Sequence, residues 1–379
     1  MRAAFSYRAI LLALVVGGIF PAPASALLTF NDGRDQVFVT GNAGLTYDSN
    51  IFANSAAHSD TIYSGGAGLE YKRHAGIISA DASAGISISR FDKFSSEDFS
   101  DPHIQGEFSA SDERTSGDLT LAASRQSQAD VIAGVRALSW TYDAGLNTRY
   151  RVNDRYSIAG NLGYNRQNYV RTPTLVDLTG YSGGANLFYS INSARDFFAG
   201  YQFRLQETSR NRSFGEHSFN AGLSGKILPK LNGTVSLGYS LLQPHGSTTD
   251  HSTGSLTESV ALTWNLSRRL KITGDLSQYF TATSINGSVD TTSASLLATY
   301  AMNARLAFAG GISGGHTRFL GASGGGRRDT DFSWNAGVDY NFTDNLKVST
   351  TYTYYENWST LSFSDFIRHT LSVTLSARF

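Results

Sequence analysis

Residues that could carry chemistry are scattered along the chain instead of grouped. Six histidines fall in or beside predicted loops and turns: His58, His74, His103, His245, His251 and His316. None belongs to an H-x-x-x-H pair or to a carboxylate–histidine cluster with the spacing of a metal site. We therefore expect neither a metal ion nor a cofactor.

Two further kinds of chemical site were considered. A Ser–His–Asp arrangement on neighbouring strands would make a hydrolase, but strands of period two scatter these residue types everywhere, so their convergence does not follow from the sequence. The stretch Gly321–Gly326, followed by Arg327 and Arg328, lacks the Lys-Ser/Thr pair of a phosphate-binding loop and is predicted to be a loop tip. We predict a protein that is not an enzyme, with a barrel hydrolase as the rival.

The last stretch of the chain indicates which elements position the polar residues. Between Ile367 and Phe379, apolar and polar residues alternate, and only His369 breaks the pattern. A period of two places alternate side chains on opposite faces of a β-strand. Such a strand could belong to a soluble sandwich, or it could have lipid on one side and water on the other.

The N-terminus favours the membrane. Residues 1–26 contain Arg2 and Arg8, an apolar run from Ala9 to Phe20 and a small-residue site ending at Ala26. This is the pattern of a cleaved secretory signal peptide, and its apolar core is shorter than the ~20 residues that span a bilayer. We predict a signal peptide at 1–26 and a single domain at 27–379.

Composition excludes several classes of protein. The chain has no cysteine, so a small disulfide-stapled secreted fold is excluded. Removing Arg2 and Arg8 leaves 29 basic and 31 acidic residues, a near balance without the basic footprint of a nucleic-acid-binding protein. No apolar run after Ala26 approaches helical membrane-spanning length, so any spanning elements must be strands.

About 18 segments of about ten residues or more alternate in this way, the repeated signature of a transmembrane barrel. The clearest runs from Thr330 to Phe342. Short and long connections also alternate, and prolines are expected in connections or at strand starts, where a missing N–H costs no ladder bond. The predicted fold is an all-β, closed, antiparallel up-and-down transmembrane β-barrel of about 18 strands, with 16 as the alternative.

A barrel of this size has an interior too wide for side chains to fill, so we expect an aqueous lumen. The charged residues on the polar register are the predicted pore lining. They are Glu107, Asp143, Arg149, Arg204, Lys226, Asp275, Arg305, Asp339 and Lys347. Both signs of charge occur, so no strong ion selectivity follows. Aromatic residues concentrate near strand ends, as two membrane interfaces favour.

The signal peptide, the repeated amphipathic strands and the terminal Phe379 resemble a Gram-negative outer-membrane barrel. That resemblance implies that Phe379 is part of the signal read by the barrel assembly machinery. The opening stretch Gly44–Phe52, which contains Tyr47-Asp-Ser-Asn-Ile51, is similar to the start of the putative β-barrel porin 2 family. Members of that family are often linked to exopolysaccharide production and export.

We therefore expect a channel in the outer membrane of a Gram-negative bacterium, after signal cleavage, for polar solutes or exported polysaccharide. The alternatives are a general small-solute porin and a non-conducting scaffold or surface-interaction barrel. Expected partners are membrane lipid and lipopolysaccharide, the assembly machinery, and polysaccharide with components of an export system, but not nucleic acid. Several arginines near predicted external loops could contact lipopolysaccharide phosphates, although a solvated loop surface is favoured. They are Arg210, Arg212, Arg318, Arg327 and Arg328.

Overall fold

The computed structural model describes residues 26–245, 251–320 and 326–379, and the predicted signal sequence and its cleavage lie almost wholly outside this range. Strands account for most of the described chain. They are β1 (Leu28–Phe30), β2 (Asp35–Asp48), β3 (Asp60–Ala75), β4 (Ile78–Phe91), β5 (Phe99–Ser111), β6 (Thr115–Asp130), β7 (Val135–Arg151), β8 (Tyr156–Val170), β9 (Leu178–Asn192), β10 (Arg195–Thr208), β11 (Ser213–Leu228), β12 (Leu231–His245), β13 (Thr253–Asn265), β14 (Leu270–Ala282), β15 (Ser288–Ala301), β16 (Leu306–Leu320), β17 (Arg328–Asn341), β18 (Leu346–Ser359) and β19 (Phe366–Arg378).

Strands β2 to β19 form one closed antiparallel barrel. Each strand pairs with the next along the chain, and β19 pairs with β2, from Arg378↔Thr40 to Thr370↔Asp48. The last residue completes this seam, because the backbone N–H of Val39 donates to the Phe379 carbonyl and the N–H of Phe379 donates to the Val39 carbonyl. The strand number is therefore eighteen, not sixteen, with β1 as a short addition beside β2.

The apolar faces of the strands point outward. In β17, Phe332, Trp334 and Val338 are each more than a third exposed, whereas Ser333 and Asn335 on the alternate register are shielded inside the barrel. This inverts the pattern of a soluble sandwich and matches a barrel with lipid outside and a polar interior. Across the described residues, no helix is both long and apolar enough to cross a membrane.

The connections define two rims. The turn rim holds the connections 76–77, 112–114, 152–155, 193–194, 229–230, 266–269, 302–305 and 342–345. The loop rim holds the connections 49–59, 92–98, 131–134, 171–177, 209–212, 283–287 and 360–365, together with the described residues 251–252 and 326–327. The barrel strands β2 to β19 are 13 to 17 residues long, so they exceed the ~9–11 residues that cross a bilayer.

Two prolines depart from the sequence-based expectation, because Pro102 lies within β5 and Pro244 within β12. Each is nevertheless in a stretch that pairs on one side only. Pro102 is opposite Ile86 of β4, while the β5–β6 ladder begins one residue later. Pro244 is opposite Phe214 of β11, while the β12–β13 ladder ends at Leu242. The missing N–H thus costs no ladder bond at either site.

The aromatic residues near the turn rim lie on the outer surface, as expected for an interfacial girdle. The most exposed among them are Tyr150, Tyr156, Trp264, Tyr300 and Phe342. The prediction is wrong for Phe280 at the other rim, which is 1% exposed and lies inside the barrel. Its position reflects a local departure of β14 from the wall.

Deleting Phe379 should lower the amount of folded barrel in the membrane. The deletion removes the two backbone hydrogen bonds with Val39 that extend the closing seam, together with an aromatic end that we expect the assembly machinery to read. Heat-modifiable mobility on unboiled gels measures the folded fraction. Phe342→Ala, which removes an aromatic side chain from the same rim away from the terminus, is the control. Full yield of the deletion variant would contradict the prediction.

Val338→Arg should destabilise the folded barrel, because it places a charge on the lipid-facing side of β17, three residues before the strand ends at Asn341. Such a charge costs about 2–4 kcal/mol at the bilayer midplane and less towards the interfaces. Asp339→Asn, on the opposite face of the same strand, should cost far less. Urea titration of both variants refolded into lipid vesicles measures the difference. Equal destabilisation would show that the assignment of the two faces is wrong.

Candidate functional site: the lumen and its mouth

The structure brings four of the predicted pore-lining residues into two polar cavities on the wall formed by β5 to β10. Glu107 and Arg149 line a cavity of about 490 Å³ together with asparagine and serine side chains. Asp143 and Arg204 line a second cavity of about 280 Å³. The rest of both linings is largely Asn, Ser, Thr and Gly, which present amides, hydroxyls and bare backbone. Contact of these residues with a passing solute stays a prediction.

The other predicted lining residues are distributed around the barrel. Asp339 and Lys347 form an ion pair on β17 and β18, with Nζ 3.0 Å from the carboxylate oxygen. Asp275 accepts a hydrogen bond from Ser295 Oγ. Lys226 lies at the turn-rim end of β11, where the register with β12 shifts.

Arg305 was expected on a strand but lies in the turn 302–305. The Asn303 side-chain oxygen accepts hydrogen bonds from the backbone N–H groups of Arg305 and Leu306, at 2.8 Å and 2.9 Å. An asparagine that bonds the backbone two and three residues ahead stabilises a turn. The strand β16 therefore begins at Leu306, and Arg305 belongs to the turn rim.

Two of the predicted lining charges on the β7 to β11 wall belong to ion pairs. Arg149 Nη2 lies 2.7 Å from Asp196 Oδ2, and Arg204 Nη1 lies 3.1 Å from Glu216 Oε2. Because Arg149 and Arg204 each face a carboxylate, their charges are largely offset. These two pairs therefore offer hydrogen-bond donors and acceptors without strongly favouring cations or anions.

At the loop rim, the first connection folds into the barrel mouth. Asp48 is buried and forms a two-point ion pair with Arg368 of β19, at 2.6 Å and 3.0 Å. Asn50 and Ile51 are fully buried, and Asn50 Nδ2 donates to the Asn54 carbonyl at 2.7 Å. The stretch Tyr47–Ile51, which carried the family resemblance, thus anchors an inward-folded loop and extends the closing seam.

Arg327 contacts two other connections at the centre of the mouth. Its side chain is 6% exposed and pairs with Asp329 at 2.6 Å. It also donates to the Ile132 carbonyl at 2.7 Å and to Ser364 Oγ at 2.9 Å, and it stacks 4.3 Å from the ring centre of Phe319. Arg327 thereby ties the start of β17 to the connections 131–134 and 360–365. The favoured interpretation of Arg327 as a solvated loop residue is wrong.

A second set of hydrogen bonds joins three other connections at the loop rim. Ser284 Oγ donates to the Asp130 carboxylate at 2.7 Å, and the Ser284 carbonyl accepts the N–H of Val176 at 2.8 Å. Asn286 accepts hydrogen bonds from Thr208 Oγ1 and from Arg212 Nη1, both at 2.7 Å. The connections 171–177, 209–212 and 283–287 therefore meet over the lumen.

Sequence reasoning missed the mouth residues because loops carry no periodic signal. Asp48 ends β2, and Asn50 and Arg327 are polar residues in connections, whose composition is the same whether a loop is solvated or folded inward. Within residues 26–245, 251–320 and 326–379, no group of three or more metal-binding side chains is clustered. The loop tip at 321–325 lies outside the described residues.

Comparison with known families supports the porin resemblance. The family described as putative beta-barrel porin 2 matches residues 208–379, from the end of β10 to the last residue. The resemblance is confirmed over this range, while the stretch Gly44–Phe52 lies outside it. No match was found among curated proteins.

Solved structures show the same fold. OccAB2 of Acinetobacter baumannii is 12% identical with a TM-score of 0.50, covering 91% of this chain and 98% of that one. OccK8 (OprE) of Pseudomonas aeruginosa is 10% identical with a TM-score of 0.50, covering 93% and 99%. At these identities the likeness concerns the fold. The chain has the closed-barrel fold of these structures. Over its C-terminal part it matches the putative beta-barrel porin 2 family in particular.

Arg327→Gln should loosen the mouth. The substitution leaves the buried Asp329 carboxylate without its ion partner, a loss that costs about 3–5 kcal/mol in buried pairs. The chain has no cysteine, so Ala53→Cys, at a fully buried loop position, reports on access. A membrane-impermeant maleimide should label the introduced thiol about tenfold faster or more in the Arg327→Gln background, since 1.4 kcal/mol corresponds to a factor of ten.

Arg328→Gln is the matched control, because Arg328 is exposed and its bonds to Thr360 use backbone atoms. Labelling in this background should equal that of Ala53→Cys alone. Equal acceleration by both substitutions would show that Arg327 does not hold the mouth together.

Proposed function

We propose that the protein is a channel of the Gram-negative outer membrane, with its loop rim outside the cell. The observation that carries this proposal is the polar wall of β5 to β10, where asparagine, serine and glycine line cavities inside a barrel of apolar exterior. The porin likeness supports a channel instead of an enzyme. Lipopolysaccharide at the loop rim and the barrel assembly machinery at Phe379 are the partners that this location implies.

We further propose a carbohydrate chain as the cargo. Asn161 and Asn186 present amides beside Glu107 and Arg149 in the larger cavity, and Gln206 and Asn165 line the smaller one. Amides and hydroxyls exchange hydrogen bonds with sugar hydroxyls, and the ion pairs of Arg149 and Arg204 reduce the trapping of an acidic glycan. Many weak sites in a row favour conduction, because binding must be strong enough for entry and weak enough for exit.

Among the described residues, the inward-folded loops are joined to one another by side-chain contacts at the mouth. A polymer of the size of a glycan must displace or rearrange the contacts centred on Arg327 before it can leave the lumen. A general porin for small solutes needs only gaps between loops. The two candidate cargoes therefore differ in whether the contacts of Arg327 must break for the cargo to pass.

Planar-bilayer recording tests the channel directly. The wild-type protein should conduct at a low open probability, and Arg327→Gln should raise this probability, because loss of the central ion pair frees the loops. Arg328→Gln should behave as the wild type does. If none of the three proteins conducts, the non-conducting scaffold replaces the channel.

Deleting the gene should reduce surface or secreted polysaccharide, with uptake of small sugars and ions nearly unchanged. Complementation with the wild-type gene should restore the polysaccharide. Intact polysaccharide with a fall in small-solute permeability would instead establish a general porin.

A further inference from the structure

In the barrel wall, β13 and β14 are hydrogen-bonded to each other over only part of their length. Their ladder runs from Asn265↔Lys271 to Ser259↔Ser277, in the middle of both strands, and stops there. Towards the loop rim β13 remains paired with β12, and β14 remains paired with β15. Among the described residues, no backbone hydrogen bond joins β13 to β14 beyond Ser259. The wall is therefore divided from mid-strand to the loop rim.

Beyond the split, β14 lies against the inner side of the wall. Gln278 and Phe280 continue the outward register of Ile272 and Leu276. Gln278 Nε2 nevertheless donates to Ser255 Oγ at 2.7 Å, on the polar inner register of β13. Phe280 packs against the inward-facing Phe214 and Leu242 of β11 and β12. The two strands thus overlap instead of meeting edge to edge.

An apolar patch lies directly behind this split, on the inner side of the wall. Phe214, Leu242, Phe280 and Ala282 are all buried there, with Leu178 and Leu320 packed against them. This set is called the inner apolar patch below. It explains why Phe280 does not join the interfacial girdle.

The outer surface beside the split is apolar, with one exception. Leu237 and Leu256 are 65% and 68% exposed. Glu258 lies between them on the outer register, at the first position beyond the last β13–β14 pair. A carboxylate on the lipid-facing side of a barrel is unfavourable near mid-membrane. Its place at the start of the split indicates that water or a polar headgroup reaches this point.

Unpaired strand edges at membrane depth are costly unless they line a cavity or are covered. The outer surface beside the split is apolar, and behind it the apolar side chains of the inner patch are buried against one another where β14 packs on β11 and β12. We propose that the β13–β14 split is a lateral portal, through which the acyl chain of a membrane lipid enters the barrel when β14 moves off this packing, and takes the place of β14 against Phe214 and Leu242. This portal does not depend on conduction along the barrel axis.

Photo-crosslinking tests whether lipid reaches the patch. The photoreactive residue p-benzoylphenylalanine is placed singly at Phe280, Leu256 or Phe91 in the full barrel, refolded into phospholipid vesicles. Phe91 is buried on the inner side of β4, on the same rim but away from the split. After illumination, mass spectrometry should find phospholipid adducts at 256 and 280 and none at 91. Heat-modifiable mobility verifies folding, and Leu242 replaces Phe280 should that variant fail to fold.

A reversible lock tests the route. Ser255→Cys and Gln278→Cys, in a chain without native cysteine, are bridged by a short bis-methanethiosulfonate reagent. The bridge should abolish the adduct at 280 and leave the adduct at 256, and a reductant that cleaves the bridge should restore the adduct at 280. The proposal is overturned by an adduct at 256 without one at 280, by an adduct at 280 that persists under the bridge, or by equal labelling at 91.

Discussion

The structure depends on one constraint, the need of every backbone N–H and C=O group in lipid for a hydrogen-bond partner. An antiparallel sheet meets this need only by closing on itself. Here the sheet closes by pairing β19 with β2, and further backbone hydrogen bonds continue this pairing at both rims. Phe379 bonds Val39 at the turn rim, and the N–H of Ser49 donates to the His369 carbonyl at the loop rim. The closing seam is therefore made complete by residues that are not part of its ladder.

The same constraint explains how much of the fold could be predicted from the sequence. Alternation records, residue by residue, which side of a strand faces lipid, so the eighteen predicted segments correspond to the eighteen barrel strands within a few residues. The one irregularity of the last strand has a partner that the pattern does not identify. His369 lies on the apolar register and its Nδ1 is 2.7 Å from Tyr352 Oη, on the neighbouring strand. The Tyr352 hydroxyl thus gives the His369 imidazole a hydrogen-bond partner that lipid could not provide.

Features that depend on contacts between distant segments were not accessible in this way. Asp48 pairs with Arg368, 320 positions later, and Arg327 bonds the carbonyl of Ile132, 195 positions earlier. No local pattern distinguishes these residues from solvated loop residues. The prediction for Phe280 failed for a related reason. Phe280 lies on the outward register of β14, and it packs inside the barrel only because β14 separates from β13 at this level. Periodicity thus predicts the barrel strands. The contacts at the mouth and the split between β13 and β14 depend on packing between distant segments, which periodicity does not record.

The wall and the mouth are stabilised by different balances of energy, and this difference bears on function. In lipid, a broken ladder bond leaves two groups without a partner, so the wall resists opening. At the mouth, water can take the place of each lost partner, and a hydrogen bond exchanged for one to water contributes only ~0.5–1.5 kcal/mol. A buried ion pair such as Arg327–Asp329 fixes geometry while adding little net stability, because desolvation offsets its attraction. A mouth held together by polar contacts can therefore be specific in shape and still be opened by modest forces, which an apolar plug of the same size would resist.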